Sequence, residues 1–293
     1  FGASHARVNY PVVALNDRTV HFCGAAAYDN WDRVKTAADL GLDGDPNASG
    51  ASGMGGRQRG NRFRRLLYAW TPAIGAEPFS AWIEIDNTFT DGGWLFATDM
   101  HVDDDGTIHL LWFRSPMLPT VRDVFYPDTK RIYRIEYATL RDGKMLTRRT
   151  LVTAGEGADP AIPTDLDQVG RPYLLDNGET ILGDPIPTPR FHVTPDGRLF
   201  VVYYVSDEAG LSENRMLEVL PDGMASRPVA LPLKHPLTQF FTAGPRAGCA
   251  PSWTLDMLGH RRGDWQPAAE GGGREWDGSV SYAQVKITEM PGG

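Results

Sequence analysis

Three stretches, Asn16-Asp-Arg-Thr-Val-His-Phe22, Asp104-Asp-Gly-Thr-Ile-His-Leu110 and Pro195-Asp-Gly-Arg-Leu-Phe-Val201, align without a gap. Their matching turn positions lie 88 and 91 residues apart (106 − 18 and 197 − 106). In each stretch a polar turn joins two apolar runs, and Asp-Gly between such runs is a strong hairpin signal. The sequence therefore predicts a repeated β-hairpin, and an internal repeat of this kind sets the architecture of the whole chain.

A second pair of apolar runs follows each hairpin. These runs are Phe63 to Trp70 with Phe79 to Ile85, Arg131 to Thr139 with Met145 to Val152, and Arg215 to Leu220 with Arg227 to Leu231. Four antiparallel strands per repeat make the sheet of a propeller blade. The sequence therefore predicts an all-β fold, a β-propeller of four-stranded antiparallel blades, in a single domain spanning residues 1–293.

The predicted blades cover residues 8–87, 94–153, 186–232 and 240–288. The last blade is incomplete, and propellers commonly complete such a sheet with a strand from elsewhere in the chain, which removes a free edge. Four blades are few for a closed ring, so either a fifth blade lies within 158–183 or further blades precede Phe1. Residues 41–60 form an insertion rich in Gly, Ser and Ala, and short helical turns are expected only at 32–40 and 118–124.

The composition excludes two classes of partner. A formal charge of −8 argues against nucleic acid, because phosphate binding needs clustered Lys and Arg. No apolar run of roughly eighteen residues is present, so no membrane partner is predicted. The sequence starts at Phe1 without a signal peptide, which leaves room for a preceding leader or larger segment. Cys23 and Cys249 fit either one disulfide or two buried thiols, and we favour the thiols.

The candidate binding residues share a position within the blades. In a propeller, the loops that lead into the first strand of each blade and those that follow the second strand meet on one face. The residues predicted there to contact substrate are Asn9, Tyr10, Trp31, Arg33, Asp99, Arg114, Arg190, Tyr204, Arg246 and Trp253. Arginine pairs bidentately with carboxylate or sulfate and aromatic rings stack on sugars, so the set predicts a site for an acidic glycan. The same side chains could instead brace loops and fill gaps between blades.

Four histidines occupy repeated positions. His101 and His192 each stand five residues before a turn glycine, where they could act as acid, base or metal ligands, or could serve only the fold. His21 and His109 match one another on second strands and are assigned to packing. The run Asp103-Asp-Asp-Gly106 is interpreted as a hairpin turn, since it lacks the alternating ligands of a calcium loop. No cofactor is predicted, and structural calcium or zinc is not indicated.

Two parts of the sequence carry a family resemblance. Val8-Asn-Tyr-Pro11 with Thr19-Val-His-Phe-Cys-Gly24, and Arg246-Ala-Gly-Cys-Ala-Pro-Ser-Trp-Thr-Leu-Asp-Met-Leu-Gly259 with Val280-Ser-Tyr-Ala-Gln-Val-Lys-Ile287, resemble the BNR-repeat propellers that include ulvan lyases and related polysaccharide-degrading enzymes. The resemblance implies a secreted or periplasmic protein. In the family pattern a His precedes the Asn-Tyr pair, where this sequence has Val8. A second family His falls at or next to Tyr28. Arg114 matches the family Arg, while the position of the family Tyr that accompanies it falls near Thr98.

Three functions stay open from the sequence, and we favour an enzyme acting on an acidic polysaccharide or oligosaccharide. A lyase would remove the proton beside a uronate carboxylate with Tyr28 or His5, while Arg114 and Arg190 hold that carboxylate. A glycoside hydrolase needs two carboxylates. The candidates for that role are Asp29, Asp99 and Asp256. The alternative is a non-catalytic glycan-binding or scaffolding propeller with a decayed active site, which the absent family histidine favours.

Overall fold

The computed structural model describes residues 7–27, 63–88, 90–91, 93–116, 127–156, 172–174, 180–182, 189–206, 212–237, 239–242, 250–260 and 280–288. Within these ranges all regular secondary structure is β-strand, in seventeen strands. The chain divides into two compact units, Phe1–Gly157 and Ala158–Gly293.

The first unit contains two four-stranded antiparallel sheets. The strands of the first sheet are β1 (Arg7–Asn16), β2 (Thr19–Ala27), β3 (Phe63–Thr71) and β4 (Ile83–Asn87). Those of the second sheet are β5 (Trp94–Val102), β6 (Ile108–Ser115), β7 (Ile132–Arg141) and β8 (Lys144–Gly155). In both sheets the strands lie side by side in sequence order, so each strand pairs with the one before it, as in a propeller blade.

The second unit contains three smaller sheets. They are β9 (Pro172–Leu174) with β10 (Thr180–Leu182); β11 (Arg190–Val193), β12 (Leu199–Ser206), β13 (Ser212–Val219) and β14 (Val229–Ala230); and β15 (Gln239–Thr242), β16 (Thr254–His260) and β17 (Val280–Lys286). The second of these sheets is again a four-stranded antiparallel blade in sequence order. Its last strand is short because Pro228 and Pro232, which have no N–H to donate, flank it.

The hairpin turns form as their residue types predict. Gly106 and Gly197 both adopt a φ of +81°, and each donates its N–H to the carbonyl three residues earlier at 2.9 Å. A positive φ is open to glycine because it has no Cβ. In the first hairpin Asp17 takes a positive φ of +50° instead, which Asp tolerates better than most residues.

The core of the first unit lies between its two sheets. Leu110 and Trp112 of β6 belong to one buried cluster with Leu66 and Tyr68 of β3. Leu111 and Phe113 alternate with them along β6, point to the other face and are buried as well. A strand that is buried on both faces reads as a continuous apolar run, which explains why Ile108 to Phe113 shows so little alternation.

The core of the second unit joins the β11–β14 sheet to the β15–β17 sheet. Val202 and Tyr204 of β12 pack with Leu255 and Met257 of β16. Asn214 fixes the segment after β14 to this core, because its buried amide both donates to the carbonyl of Leu237 and accepts from the Leu237 N–H.

The fold class predicted from the sequence is confirmed. The described chain is all-β, and three of its five sheets are four-stranded antiparallel blades of the propeller type. The single domain of residues 1–293 and the number of blades stay predictions. Cys23 is a buried free thiol. Cys249, the insertion at 41–60 and both predicted helical turns lie outside the described residues.

Candidate functional site

Tyr10 lies at a break in the hydrogen-bond register of β1. Between Asn9 and Val12 this strand gains one residue on β2, which makes a β-bulge. Tyr10 has a φ of +48°, in the left-handed region that costs a non-glycine residue about 1 kcal/mol or more. The residue is 66% exposed, and its ring touches Phe63 edge-on with centroids 5.4 Å apart. An exposed aromatic side chain is thus held on a strained stretch of backbone.

β5, the first strand of the second sheet, has a β-bulge at the position that matches the bulge in β1. β5 gains one residue on β6 between Ala97 and Asp99. Ala97 follows Asn9 by 88 positions, the interval that separates the two aligned turns (97 − 9 and 106 − 18). Thr98 is buried and bonded to the backbone of β6, whereas Asp99 is half-buried and caps the next backbone N–H at 2.9 Å. Strands β1 and β5 contact one another, and this alignment matches Tyr10 with Thr98 and Asp99 with Pro11.

Arg114, predicted to hold a substrate carboxylate, is bonded to carboxylates of the protein itself. Its Nη1 donates to both oxygens of Asp86 at 3.0 and 3.1 Å, and its Nη2 donates to Oδ2 of Asp91 at 2.5 Å. Burial opposes the charge of Arg114, but the two carboxylates more than compensate and raise its pKa. These contacts join β6 to the end of β4 and the turn that follows. A part for Arg114 in substrate binding stays a prediction.

Asp86 is the centre of a buried network between the two sheets of the first unit. Arg148 donates to it from both terminal nitrogens, Nη1 to Oδ1 at 3.1 Å and Nη2 to Oδ2 at 2.9 Å. The indole Nε1 of Trp112 donates to Oδ2 at 2.9 Å, and the Arg148 guanidinium lies 5.2 Å from the centre of the same ring. The Asp86 side chain is 5% exposed, so two guanidiniums and an indole take the place of its hydration water.

Glu136 lies beside this network in a different electrostatic environment. Burial raises the pKa of its carboxyl, and the Asp86 carboxylate adds to the rise, while Arg148 at 3.7 Å and a hydrogen bond from Thr150 oppose it. A buried acid beside a carboxylate paired with guanidiniums occurs both in structural networks and in acid–base sites. Here both carboxylates are buried between sheets and are paired with side chains of the protein itself. We therefore assign the network to stability.

Two histidines flank Asp103 at the turn between β5 and β6. Nε2 of His101 lies 3.1 Å from Oδ1 of Asp103, and Nε2 of His109 lies 2.7 Å from Oδ2. Hydrogen bonds from both histidines hold the pKa of Asp103 well below its usual range. The structure thus binds His101 into the hairpin turn rather than into the bulge that holds Asp99. An acid, base or metal-binding role for His101 stays a prediction.

His21 and His109 make the same contact in their own sheets. Nδ1 of His21 lies 2.8 Å from the Tyr68 hydroxyl, and Nδ1 of His109 lies 2.8 Å from the Tyr137 hydroxyl. Burial lowers the pKa of His21 to about 4 and raises the pKa of Tyr68, so this pair is neutral at pH 7. In both sheets the contact ties the second strand to the third, which is the packing role assigned from the sequence.

Four of the site residues predicted in the second unit lie in different environments. His192 is buried, and its Nε2 donates to the carbonyl oxygen of Ser252 at 2.8 Å. Tyr204 is 4% exposed and packs in the core of the unit. Arg190 and Trp253 are half-exposed. Catalysis by His192 and glycan binding by the other three stay predictions.

The remaining site predictions concern residues beyond those described. These residues are Tyr28, His5, Trp31, Arg33, Arg246 and the hydrolase candidate Asp29. Asn9 pairs with Ala25 in the β1–β2 ladder, and only its backbone is described. The convergence of Tyr28, Arg114 and Arg190 on one ligand therefore stays a prediction.

Sequence reasoning missed the bulges and the network around Asp86. Pro11 was a usable signal for the first bulge, because proline inside a strand marks an edge or a bulge. No local pattern marks Asp86, since its partners Trp112 and Arg148 follow it by 26 and 62 residues.

A metal-binding cluster and a membrane-spanning helix are both absent from the described ranges. There, no group of three or more His, Cys, Asp or Glu side chains is arranged to hold a metal ion. In the same ranges, no helix is long and apolar enough to cross a membrane.

Comparison with known proteins gives distant structural matches. No family model and no curated protein matches the chain. A GH43 β-xylosidase/α-arabinofuranosidase from a compost microbial metagenome, in complex with xylotriose, matches with a TM-score of 0.45 and 12% identity over 98% of this chain and 76% of that one. A Trypanosoma rangeli sialidase matches with a TM-score of 0.44 and 11% identity over 89% and 35%. An endo-arabinase from Bacteroides thetaiotaomicron matches with a TM-score of 0.40 and 12% identity over 96% and 75%. At TM-scores and sequence identities this low, neither the substrates nor the residue roles of these proteins can be assigned to this chain.

Proposed function

We propose that this protein is a carbohydrate-active propeller that binds a glycan chain at the bulged part of β1 and β5. Tyr10 supplies an exposed ring for stacking on a sugar face, and Asp99 supplies a carboxylate for its hydroxyl groups. The observation that carries the proposal is the left-handed, exposed Tyr10 at the bulge. Bulges re-aim side chains beside active sites, and backbone strain of this kind clusters where a ligand is held.

Cleavage of the bound glycan is the second part of the proposal. Elimination needs a side chain that removes a proton beside a uronate, and hydrolysis needs two carboxylates. For elimination the sequence predicts Tyr28 or His5 as that side chain. For hydrolysis it predicts Asp29, Asp99 and Asp256, of which Asp99 lies at the proposed position. Glycan binding without cleavage is the alternative. An assay of ultraviolet absorbance and reducing ends distinguishes elimination, hydrolysis and binding alone.

Whether the glycan is acidic or neutral is decided by the experiment. The sequence predicts an acidic glycan from its arginines, but Asp86 and Asp91 already engage Arg114, which weakens that argument. Neutral glycans are therefore tested beside acidic ones. Xylan and arabinan are included because enzymes named for such glycans are among the similar structures.

A secreted or periplasmic location belongs to the same proposal, because polysaccharides are met outside the cytoplasm. We propose no cofactor. Fractionation of the source cells followed by detection of the protein tests the location, and activity in a chelator tests independence from metal ions.

The experiment combines affinity electrophoresis with an assay of ultraviolet absorbance and reducing ends, on uronic-acid and neutral polysaccharides. New absorbance signals elimination, reducing ends alone signal hydrolysis, and retention alone signals binding. We expect Tyr10→Ala to weaken retention about tenfold, the scale of one lost stacking contact. Phe79→Ala, which removes another exposed ring of the same unit, is the matched control and should change nothing. Retention of Tyr10→Ala equal to that of the wild type would refute the site.

A further inference from the structure

The sheet formed by β15, β16 and β17 has two unlike faces. On one face Leu255 and Met257 are buried against the β11–β14 sheet. The other face is exposed along both β16 and β17. The exposed side chains there are Asp256, Leu258, Val280, Tyr282, Gln284 and Lys286.

Three of these side chains form a hydrogen-bonded group around one carboxylate. The hydroxyl of Tyr282 donates to Oδ1 of Asp256 at 2.5 Å, and Nε2 of Gln284 donates to the same oxygen at 2.8 Å. Gln284 lies directly across the ladder from Asp256, and Tyr282 lies diagonally from it. Both bonds fall on Oδ1, and no side chain within the described ranges donates to Oδ2, which can accept hydrogen bonds from a ligand. Tyr282 is 61% exposed, and its phenol is anchored while its ring faces solvent.

The chemistry of this face differs from that of the face which the same sheet packs against β11–β14. There Val202, Tyr204, Leu255 and Met257 meet without a carboxylate among them. Asp86, the carboxylate buried between the sheets of the first unit, has two guanidiniums and an indole as donors instead. A carboxylate buried against another sheet would lose its hydration, and Asp256 would have to replace it with more donors than two bonds to one oxygen. An exposed ring beside hydrogen-bonding groups that are held in place suits a ligand with an apolar face and many hydroxyl groups.

We propose that the exposed β16–β17 face is a binding surface for a neutral glycan chain. The ring of Tyr282 stacks on a sugar, and Asp256 and Gln284 bond to its hydroxyls. The proposal does not depend on the site at Tyr10, which belongs to the other unit.

The electrostatics of the group select against acidic glycans. The hydrogen bonds from Tyr282 and Gln284 lower the pKa of Asp256, so this residue carries its negative charge at neutral pH. A uronate placed over the group would meet a like charge at short range. A neutral sugar meets an acceptor for its hydroxyl groups instead.

Affinity electrophoresis in gels cast with xylan, arabinan or polygalacturonate tests this surface. We expect the wild type to be retained more by xylan or arabinan than by polygalacturonate. Tyr282→Ala should weaken that retention about tenfold, and Tyr282→Phe, which keeps the ring, should weaken it less. Asp256→Asn should weaken it too, because the amide is a poorer acceptor. Val280→Ala, on the same strand but outside the group, is the matched control and should bind as the wild type does.

The outcomes separate this proposal from the one at Tyr10. If Tyr10→Ala alone reduces retention, the β16–β17 surface is refuted and the first site stands. If Tyr282→Ala alone reduces it, the reverse holds. A lowered melting temperature of Tyr282→Ala with unchanged retention would mean that the face packs against protein, which overturns the proposal. Absence of wild-type retention in both neutral gels, or stronger retention in polygalacturonate, also overturns it.

Discussion

Asp86 in β4 and Arg148 in β8 form a two-point ion pair between the two sheets of the first unit, at 3.1 and 2.9 Å. Arg114 and Trp112 donate to the same carboxylate. The Asp86 side chain is 5% exposed and that of Arg148 is 35% exposed. The net contribution of the pair to stability is modest, because desolvation of the carboxylate offsets much of the attraction. Loss of Asp86 is costly, because Arg114 and Arg148 would then keep only Asp91 and Glu136 as counter-charges among the described residues.

Asp86→Asn should therefore lower the free energy of unfolding by about 3 kcal/mol, since two guanidiniums would share a neutral amide. Urea unfolding measures the change. Glu84→Gln, on the same strand, removes an exposed ion pair with Arg65 and should cost no more than about 0.5 kcal/mol. Equal effects of the two variants would show that Asp86 does not hold the sheets together.

His21 should make stability depend on pH. Burial lowers its pKa from 6.5 to about 4, so the unfolded chain takes up a proton at a higher pH than the folded one does. Stability is therefore full above pH 6.5 and is lost as the pH falls from 6.5 to 4, by about 3 kcal/mol at most. Unfolding of the wild type and His21→Asn at pH 7 and pH 4.5 tests this, and the variant should lose less. The pKa of Asp103 is depressed, so its protonation changes stability only below about pH 4. It therefore does not affect the comparison between pH 7 and pH 4.5.

Tyr10→Gly should separate stability from binding. Glycine relieves the positive φ, so we expect stability to stay level or rise by up to about 1 kcal/mol, while glycan retention falls. Asp142→Gly is the control, because Asp142 has a φ of +50° in the β7–β8 turn and should gain stability without changing retention. A large loss of stability in Tyr10→Gly would show that the ring serves packing instead.

Two turn glycines should differ in their tolerance of alanine. Gly106 has a φ of +81° with open space around it, so alanine should cost about 1 kcal/mol through the backbone alone. At Gly143, with a φ of +72°, an added Cβ would also meet Nε1 of Trp70 at 2.9 Å. We expect Gly143→Ala to cost at least about 1 kcal/mol more in urea unfolding. Similar costs at the two positions would mean that the β7–β8 turn and the first sheet have room to separate.

The strands were predicted from the sequence more accurately than the candidate site was. The hairpins around Asp17, Gly106 and Gly197 were predictable because turn chemistry and alternation belong to contiguous residues. The strand predicted from Phe79 begins only at Ile83, because the backbone N–H of Ser80 instead closes a turn onto Trp70. Tyr10 and Asp99 were predicted as contact residues, but the bulges that they share were not.

The sequence by itself determined the repeated hairpins, since each depends on residues only a few positions apart. The four-stranded antiparallel blade followed from them because strands that are consecutive in the chain tend to pair. Tertiary structure decided what the charged and aromatic side chains do. Arg114 meets Asp86 from 28 residues away, and Arg148 meets it from 62. Such pairings follow from how two sheets pack. A buried charge is stabilised by whichever partner the neighbouring sheet places beside it, and no local sequence pattern specifies that partner.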